Sequence, residues 1–308
     1  MAFCWTQLWP SSRLFIFWEA CVPSPRLLLT ALLAVLAMSM VPVLVKSTAA
    51  NEVTIGIARL LIALAVITPL LFVPAFTGGS LRSITRPQWC RLLVIGAVFA
   101  LHWLTYFASI KLATAVIASV AIATYGVQYL LLAWWFNGER LGWVECLAMV
   151  ACFTGCAVMV PAFTLSNTVS LGIAIGLFSA FLYACLPLLH QRVREVGTLE
   201  RTWGQFGFAL LCFLPFWHFS EWNLQASDGW KLLTLGLLCT VVAHGLWVKA
   251  STELPAVFTS VIYYIYVPLA MVSSSVFLGE ELGPEKLFGA ALIVASSTAV
   301  TVYRWRRS

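Results

Sequence analysis

Arg59 is the costliest residue in the chain to place, because it stands inside an otherwise apolar stretch. An arginine at the centre of a membrane helix costs roughly 2.5–3.5 kcal/mol on insertion scales, and less near an interface. Two readings are open. The guanidinium snorkels to headgroups about six residues away, or it lines a cavity where a helix C-terminus or an anionic substrate group satisfies it. His102 and Tyr106 lie four residues apart, hence on one helical face, with Trp103 beside them, and His244 has a similar setting. A histidine titrates near neutrality and can bind a solute or relay a proton; it can equally bond a neighbouring helix. Tyr125 and Gln128, and later Tyr263, Tyr264 and Tyr266, put hydroxyls and an amide inside apolar runs, where polar groups need partners. That favours a wet cavity or helix contacts over lipid, with aromatic packing the plainer alternative. Pro42 and Pro268 are the candidate helix breaks. Glu139, Glu280 and Glu281 follow glycine turns and are expected near the start of the next helix, where free amides favour negative charge. Cys152 and Cys156 are one turn apart, but no histidine or carboxylate completes a ligand set, so they read as packing residues with no metal. Nothing calls for a cofactor or a catalytic residue.

The elements that must position these residues follow from composition. Of 308 residues 61% are apolar and 10% charged, and the mean hydropathy is +0.94. The apolar runs last about 20 residues, the length that crosses roughly 30 Å of hydrocarbon, whereas buried strands last about 4–8. The expected fold class is therefore an all-α integral membrane protein with the lipid bilayer as its solvent. The net charge of +6 comes from basic residues scattered singly at the ends of apolar blocks, which excludes nucleic acid as the partner.

Ten transmembrane helices are expected: Leu27–Val45, Val53–Phe76, Leu92–Ile110, Ala113–Phe136, Cys146–Phe163, Leu171–Leu189, Thr202–Phe219, Leu232–Val248, Leu254–Leu278 and Leu287–Tyr303. Residues 1–26 form an N-terminal extension that lacks the sustained apolar core of a signal peptide. Its Trp5, Trp9, Phe15, Phe17 and Trp18 suit a membrane surface; an overextended start is the alternative. Residues 304–308 form a basic tail.

The chain also repeats itself. Asn137-Gly138-Glu139-Arg140-Leu141-Gly142 lies over Leu278-Gly279-Glu280-Glu281-Leu282-Gly283 at an offset of 141, as Tyr125 lies over Tyr266. Leu92–Gly96 lies over Leu232–Gly236 at 140, while His102 lies only approximately over His244, at 142. The halves are 27–166 and 167–303, each of five spans. Five is odd, so the second half enters the membrane from the opposite side, as an inverted 5+5 repeat. With the N-terminus inside, thirteen cationic side chains fall on the cytoplasmic side and four, Lys46, Lys111, Lys231 and Lys286, on the other. Both termini are accordingly expected in the cytoplasm.

These landmarks resemble the EamA-like family of the drug/metabolite transporter superfamily. The resemblance covers about residues 27–303 and rests on Ile57-Ala58-Arg59-Leu60-Leu61, Ala108-Ser109-Ile110-Lys111 before Thr114–Ala118, the Asn137–Leu141 turn, and Leu278–Leu282 before Gly289. It implies a secondary transporter of a bacterial inner membrane that exports or exchanges amino acids or related small polar metabolites by alternating access, with a cavity between the halves. Val127 departs from the pattern, since only the second half has the proline, Pro268, and gating by the first half is expected to be stiffer or less symmetric. No phosphate-binding loop is present, and coupling to a proton or a counter-substrate is open, with His102 and His244 the proton candidates. A lipid-linked or nucleotide-sugar substrate, or a nontransporting sensor or assembly protein, is the alternative function. No specific motif argues for a homodimer.

Overall fold

The structure, a computed structural model, describes residues 23–74, 81–138, 142–159 and 168–306. Most of the N-terminal extension, Glu139, the boundary between the halves at 166–167, and the last two residues of the basic tail lie outside the described residues. Among the described residues every regular element is helical.

The first span is broken into α1 (Pro25–Met38) and α2 (Val41–Ser47), with Pro42 in the first turn of α2. Next come α3 (Glu52–Leu70) and the regular α4 (Arg86–Leu112), then a second broken span, α5 (Ala115–Ala123) and α6 (Tyr125–Asn137). Helices α7 (Trp143–Val158), α8 (Thr168–Gln191) and α9 (Thr198–Phe213) follow. Then α10 (Asp228–Gly236) runs through a π turn (Leu237–Val242) into α11 (Ala243–Glu253). A last broken span, α12 (Ala256–Tyr264) and α13 (Tyr266–Leu278), precedes α14 (Pro284–Trp305). Seven stretches are long and apolar enough to cross a membrane: Pro25–Ser47, Glu52–Leu70, Arg86–Leu112, Ala115–Asn137, Thr168–Gln191, Asp228–Glu253 and Ala256–Leu278. The other three expected spans coincide with α14 and with α7 and α9, which have 16 residues each. Helix α9 runs on without a gap into a 3-10 stretch, Leu214–Phe219, which carries the helical run to the end of the expected span.

Large apolar side chains such as Leu29, Leu36, Leu147, Phe153, Val276 and Phe288 stay exposed. On a chain this apolar they form the face that lipid covers. Inside, α4 lies against α8 and α9, and α1 against α11. Helix α5 packs on α13 and α6 on α12, so the two broken spans run antiparallel. Helices α7 and α14 meet where Gly155 faces Gly289: a Cβ on Gly155 would sit 2.7 Å from the Gly289 carbonyl oxygen, so the close approach requires glycine.

The helix ends are locally specified. Asn51 accepts from the Thr54 amide at 2.9 Å and Thr114 from the Ile117 amide at 3.2 Å, each capping a helix start. Gly138 and Gly279, at the matched offset, end α6 and α13 with φ of 69° and 67°, a left-handed conformation that side chains with a Cβ resist.

Two expectations need correction. The break in the later span falls at Ile265, three residues before Pro268, and the same break occurs at Thr124, with φ −61° at both positions. Pro268 has no amide hydrogen to give the Tyr264 carbonyl, so the ladder fails one turn upstream of the ring. Thr124 achieves this without proline, because its hydroxyl donates to the Ala121 carbonyl at 2.7 Å in place of a regular helical bond. Both halves are thus broken at the matched position, although only the second carries the proline. Second, Glu280 does not cap the helix that follows it. Its carboxylate accepts from the Ala115 and Val116 amides, at 2.8 and 3.0 Å, and so caps α5 from across the bundle. Glu281 is exposed.

Candidate functional site

Helices α1 to α5, α8, α11, α12 and α13 enclose a central cavity of about 20 Å³, space for about one water molecule. Seven residues singled out in the sequence line it: Arg59, His102, Trp103, Tyr106, His244, Tyr263 and Tyr266. Among the described residues no lining residue is acidic.

Arg59 sits in the second turn of α3 and is 1% exposed, so its guanidinium does not reach the end of its helix. The guanidinium carbon lies 4.0 Å above the Trp103 ring and 5.2 Å from that of Phe107, in cation–π contact. Nε donates to the Thr240 hydroxyl at 3.0 Å and Nη2 to the Cys239 carbonyl at 3.3 Å. Nη1 is buried with no hydrogen-bond partner. Among the described residues no carboxylate pairs with this cation.

Both protein acceptors come from the π turn, whose wider ring redirects a carbonyl and a side chain that a regular helix would keep in its ladder. Thr240 donates its own hydroxyl proton to Leu235, five residues back, at 2.7 Å, leaving its lone pairs to Arg59. A π turn holds one residue more than the α-helical turn it replaces. That insertion explains the drifting offset between the halves: 140 before the turn, at Gly96 and Gly236, and 141 after it, at Tyr125 and Tyr266. His244 is thus the counterpart of Trp103, not of His102, and the two rings meet at 5.6 Å.

The remaining polar groups divide into anchored and open ones. His102 Nδ1 lies 3.0 Å from the Ser179 carbonyl, which only accepts, so in the neutral ring Nδ1 carries the proton and Nε2 is an acceptor. The ring is sandwiched by Tyr183 at 4.5 Å and Tyr106 at 5.9 Å. The Tyr106 and Tyr266 hydroxyls bond each other, joining α4 to α13, while Tyr263 stacks on Tyr266 at 5.4 Å. Neither ring nitrogen of His244 bonds another described residue; the ring packs edge-on against Phe99 at 5.1 Å. Tyr125 and Gln128 are not brought to the cavity. Tyr125 packs behind it on Tyr183 and Tyr263, and Gln128 bonds Thr124 and the Leu177 carbonyl. Sequence reasoning passed over Tyr183, Ser179 and Thr240. Each is a polar side chain inside an apolar run, the criterion that had drawn attention to Tyr125.

Helix ends on both sides of the bundle are stitched together. At one end Lys46 donates to the carbonyls of Ile110, Lys111 and Ala113, where α4 ends and its dipole favours a cation. Lys111 returns a bond to the Thr48 carbonyl at 2.6 Å, and Lys231 bonds the Ser47 carbonyl at 2.7 Å and pairs with Asp228 at 3.1 Å. At the opposite end Arg201 joins the His190 carbonyl, Thr252 and Thr198, while His190 bonds Gln205 at 2.6 Å.

A family profile settles what this architecture is. That of the EamA-like transporter family matches residues 26–160 and 170–302, one copy for each half. The chain belongs to the EamA-like transporter family. It is 24% identical over 216 residues to "Uncharacterized transporter YxxF" of Bacillus subtilis (strain 168), covering 69% of this chain and 70% of that one. It is 29% identical over 183 residues to the "Probable terminal-alkyne amino-acid exporter" of Streptantibioticus cattleyicolor, covering 58% of this chain and 61% of that protein. One solved crystal structure superposes with a TM-score of 0.71 over 92% of this chain and 99% of its own at 18% identity, which shows a shared fold. As an EamA-like transporter the chain is a membrane protein of two homologous halves.

Proposed function

We propose that this EamA-like transporter is a secondary transporter that exports or exchanges amino acids or related small carboxylate-bearing metabolites by alternating access. The observation that carries the reading is Arg59. A buried cation whose Nη1 amino group has no partner, set in the wall of the cavity between the halves, is what an anionic group of a solute would complete. The relative described as a probable amino-acid exporter supports the same class.

In this reading the halves, 27–166 and 167–303, are inverted five-span units, the antiparallel broken spans are their paired cores, and the two stitched ends are the alternating gates. The excess of arginine at one side puts both termini, including the 304–308 tail, in the cytoplasm of a bacterial cell bounded by this inner membrane. A proton, taken by His102 Nε2 or His244, or a counter-substrate supplies the coupling.

The test is uptake of labelled amino acids and small carboxylates into proteoliposomes, with and without a pH gradient. Accumulation that follows the gradient supports coupled transport, and equilibration supports a facilitator or exchanger. Folded protein that moves none of the panel overturns the reading and returns the question to lipid-linked or nucleotide-sugar substrates and nontransport roles. A periplasm-active reporter fused after Arg307 must stay silent.

A further inference from the structure

Resting on that reading, we propose that the cavity selects a carboxylate whose molecule carries no ammonium group: an apolar or aromatic monocarboxylate, or an amino acid with its amine acylated, in preference to the free zwitterion.

The selection follows from which charges the pocket can answer. Arg59 offers Nη1, with its other nitrogens held by Thr240 and Cys239, so a carboxylate oxygen has a preoriented charged donor. An ammonium group has no such partner. Among the described residues the lining contains no aspartate or glutamate, and its polar acceptors are the neutral His102 Nε2, the His244 ring and tyrosine oxygens, of which those of Tyr106 and Tyr266 already bond each other. The Arg59 guanidinium itself lies over Trp103 and Phe107, and the lining tyrosines each have a face stacked on another ring, Tyr106 and Tyr183 on His102 and Tyr263 on Tyr266. In an α-amino acid the ammonium rides beside the carboxylate, so docking the carboxylate on Arg59 brings two like charges together where little water screens them. A solute with no amine, or an amide in its place, keeps the attraction and drops the repulsion. The rest of the wall is largely apolar, from Met38, Val41, Phe107, Ile122, Tyr183 and Tyr263, and it would receive the solute's body once the halves part to widen a cavity that now holds about one water molecule.

The experiment uses the full chain in nanodiscs and a matched ligand series that shares one phenyl ring: 3-phenylpropanoate, N-acetylphenylalanine, phenylalanine and phenethylamine. Binding is read by calorimetry, and transport of the same four is read separately in proteoliposomes. The expected order is the two anions first, phenylalanine at least about tenfold weaker, and phenethylamine last. Arg59→Gln should flatten the series, and Thr240→Val, which leaves the guanidinium in place, should weaken the anions while keeping their rank. Phenylalanine binding as tightly as the anions, phenethylamine binding at all tightly, or no binding of either anion by folded protein overturns the proposal. Anions that bind in the expected order yet are never moved across liposomes would leave this selectivity standing and sink the transport reading; zwitterions moved as readily as anions would do the reverse.

Discussion

Helix α4 and its counterpart, the α10–α11 pair, occupy equivalent places in the two halves, yet only one is regular. Helix α4 runs unbroken through its 27 residues and delivers side chains to the cavity, His102, Trp103 and Tyr106, each fixed by helical spacing. The counterpart takes in one extra residue as a π turn and delivers backbone as well, in the form of the Cys239 carbonyl beside the Thr240 hydroxyl. A duplicated scaffold can therefore hold a single, asymmetric cation site: Arg59 needs acceptors on one side and aromatic faces on the other, and the two equivalent helices supply one kind each. By contrast, the broken spans keep their symmetry down to the backbone angle at Thr124 and Ile265, where both halves need the same bend.

Deleting Val241 breaks this comparison most severely. The extra residue is lost, both flanks return to ordinary helical register, and Arg59 loses two bonds to a charged group at about 1.5–3 kcal/mol each. Transport should fall at least about a hundredfold while the protein still reaches the membrane. Unchanged transport would show that the π turn is a passive insertion. Thr240→Val removes one of the two acceptors and should cost about tenfold in apparent substrate affinity in concentration-dependent uptake, with Thr240→Ser close to the parent; equal losses for both would contradict the role of the hydroxyl. Gly138→Ala and Gly279→Ala sharpen the symmetric side of the comparison. Their φ values match and neither Cβ would meet another atom, so each should lose about 1 kcal/mol in thermal or denaturant stability, and the two losses should agree. Gln128→Leu should change uptake by less than about twofold, because the bonds it loses are neutral and lie away from the cavity.

The helices were legible because apolar runs of about 20 residues admit few other structures, and the turns because Asn137-Gly138 and Leu278-Gly279 carry the glycine that a left-handed helix end needs. Most of the site was legible for one reason: an arginine, histidines and tyrosines are conspicuous against so apolar a background. What stayed hidden depends on the backbone. Thr124 bends its helix through a hydroxyl that is unremarkable in sequence. The π turn left one trace, the slip in offset from 140 to 141, which looked like imprecision and led to His244 being paired with His102 in place of Trp103. Glu280 was assigned to the nearest helix start along the chain, whereas tertiary packing brings it to α5.

The most direct measurement is a crystal structure of the protein with a transported carboxylate bound. A carboxylate oxygen within about 3 Å of Arg59 Nη1, with Nε still on Thr240 and the ligand body against Trp103 and Tyr183, is the result expected. A ligand that makes its charged contacts at Arg201 and His190, or at Lys46 and Lys231, with Arg59 still bonded as it is now, would contradict the assignment of this cavity as the transport site.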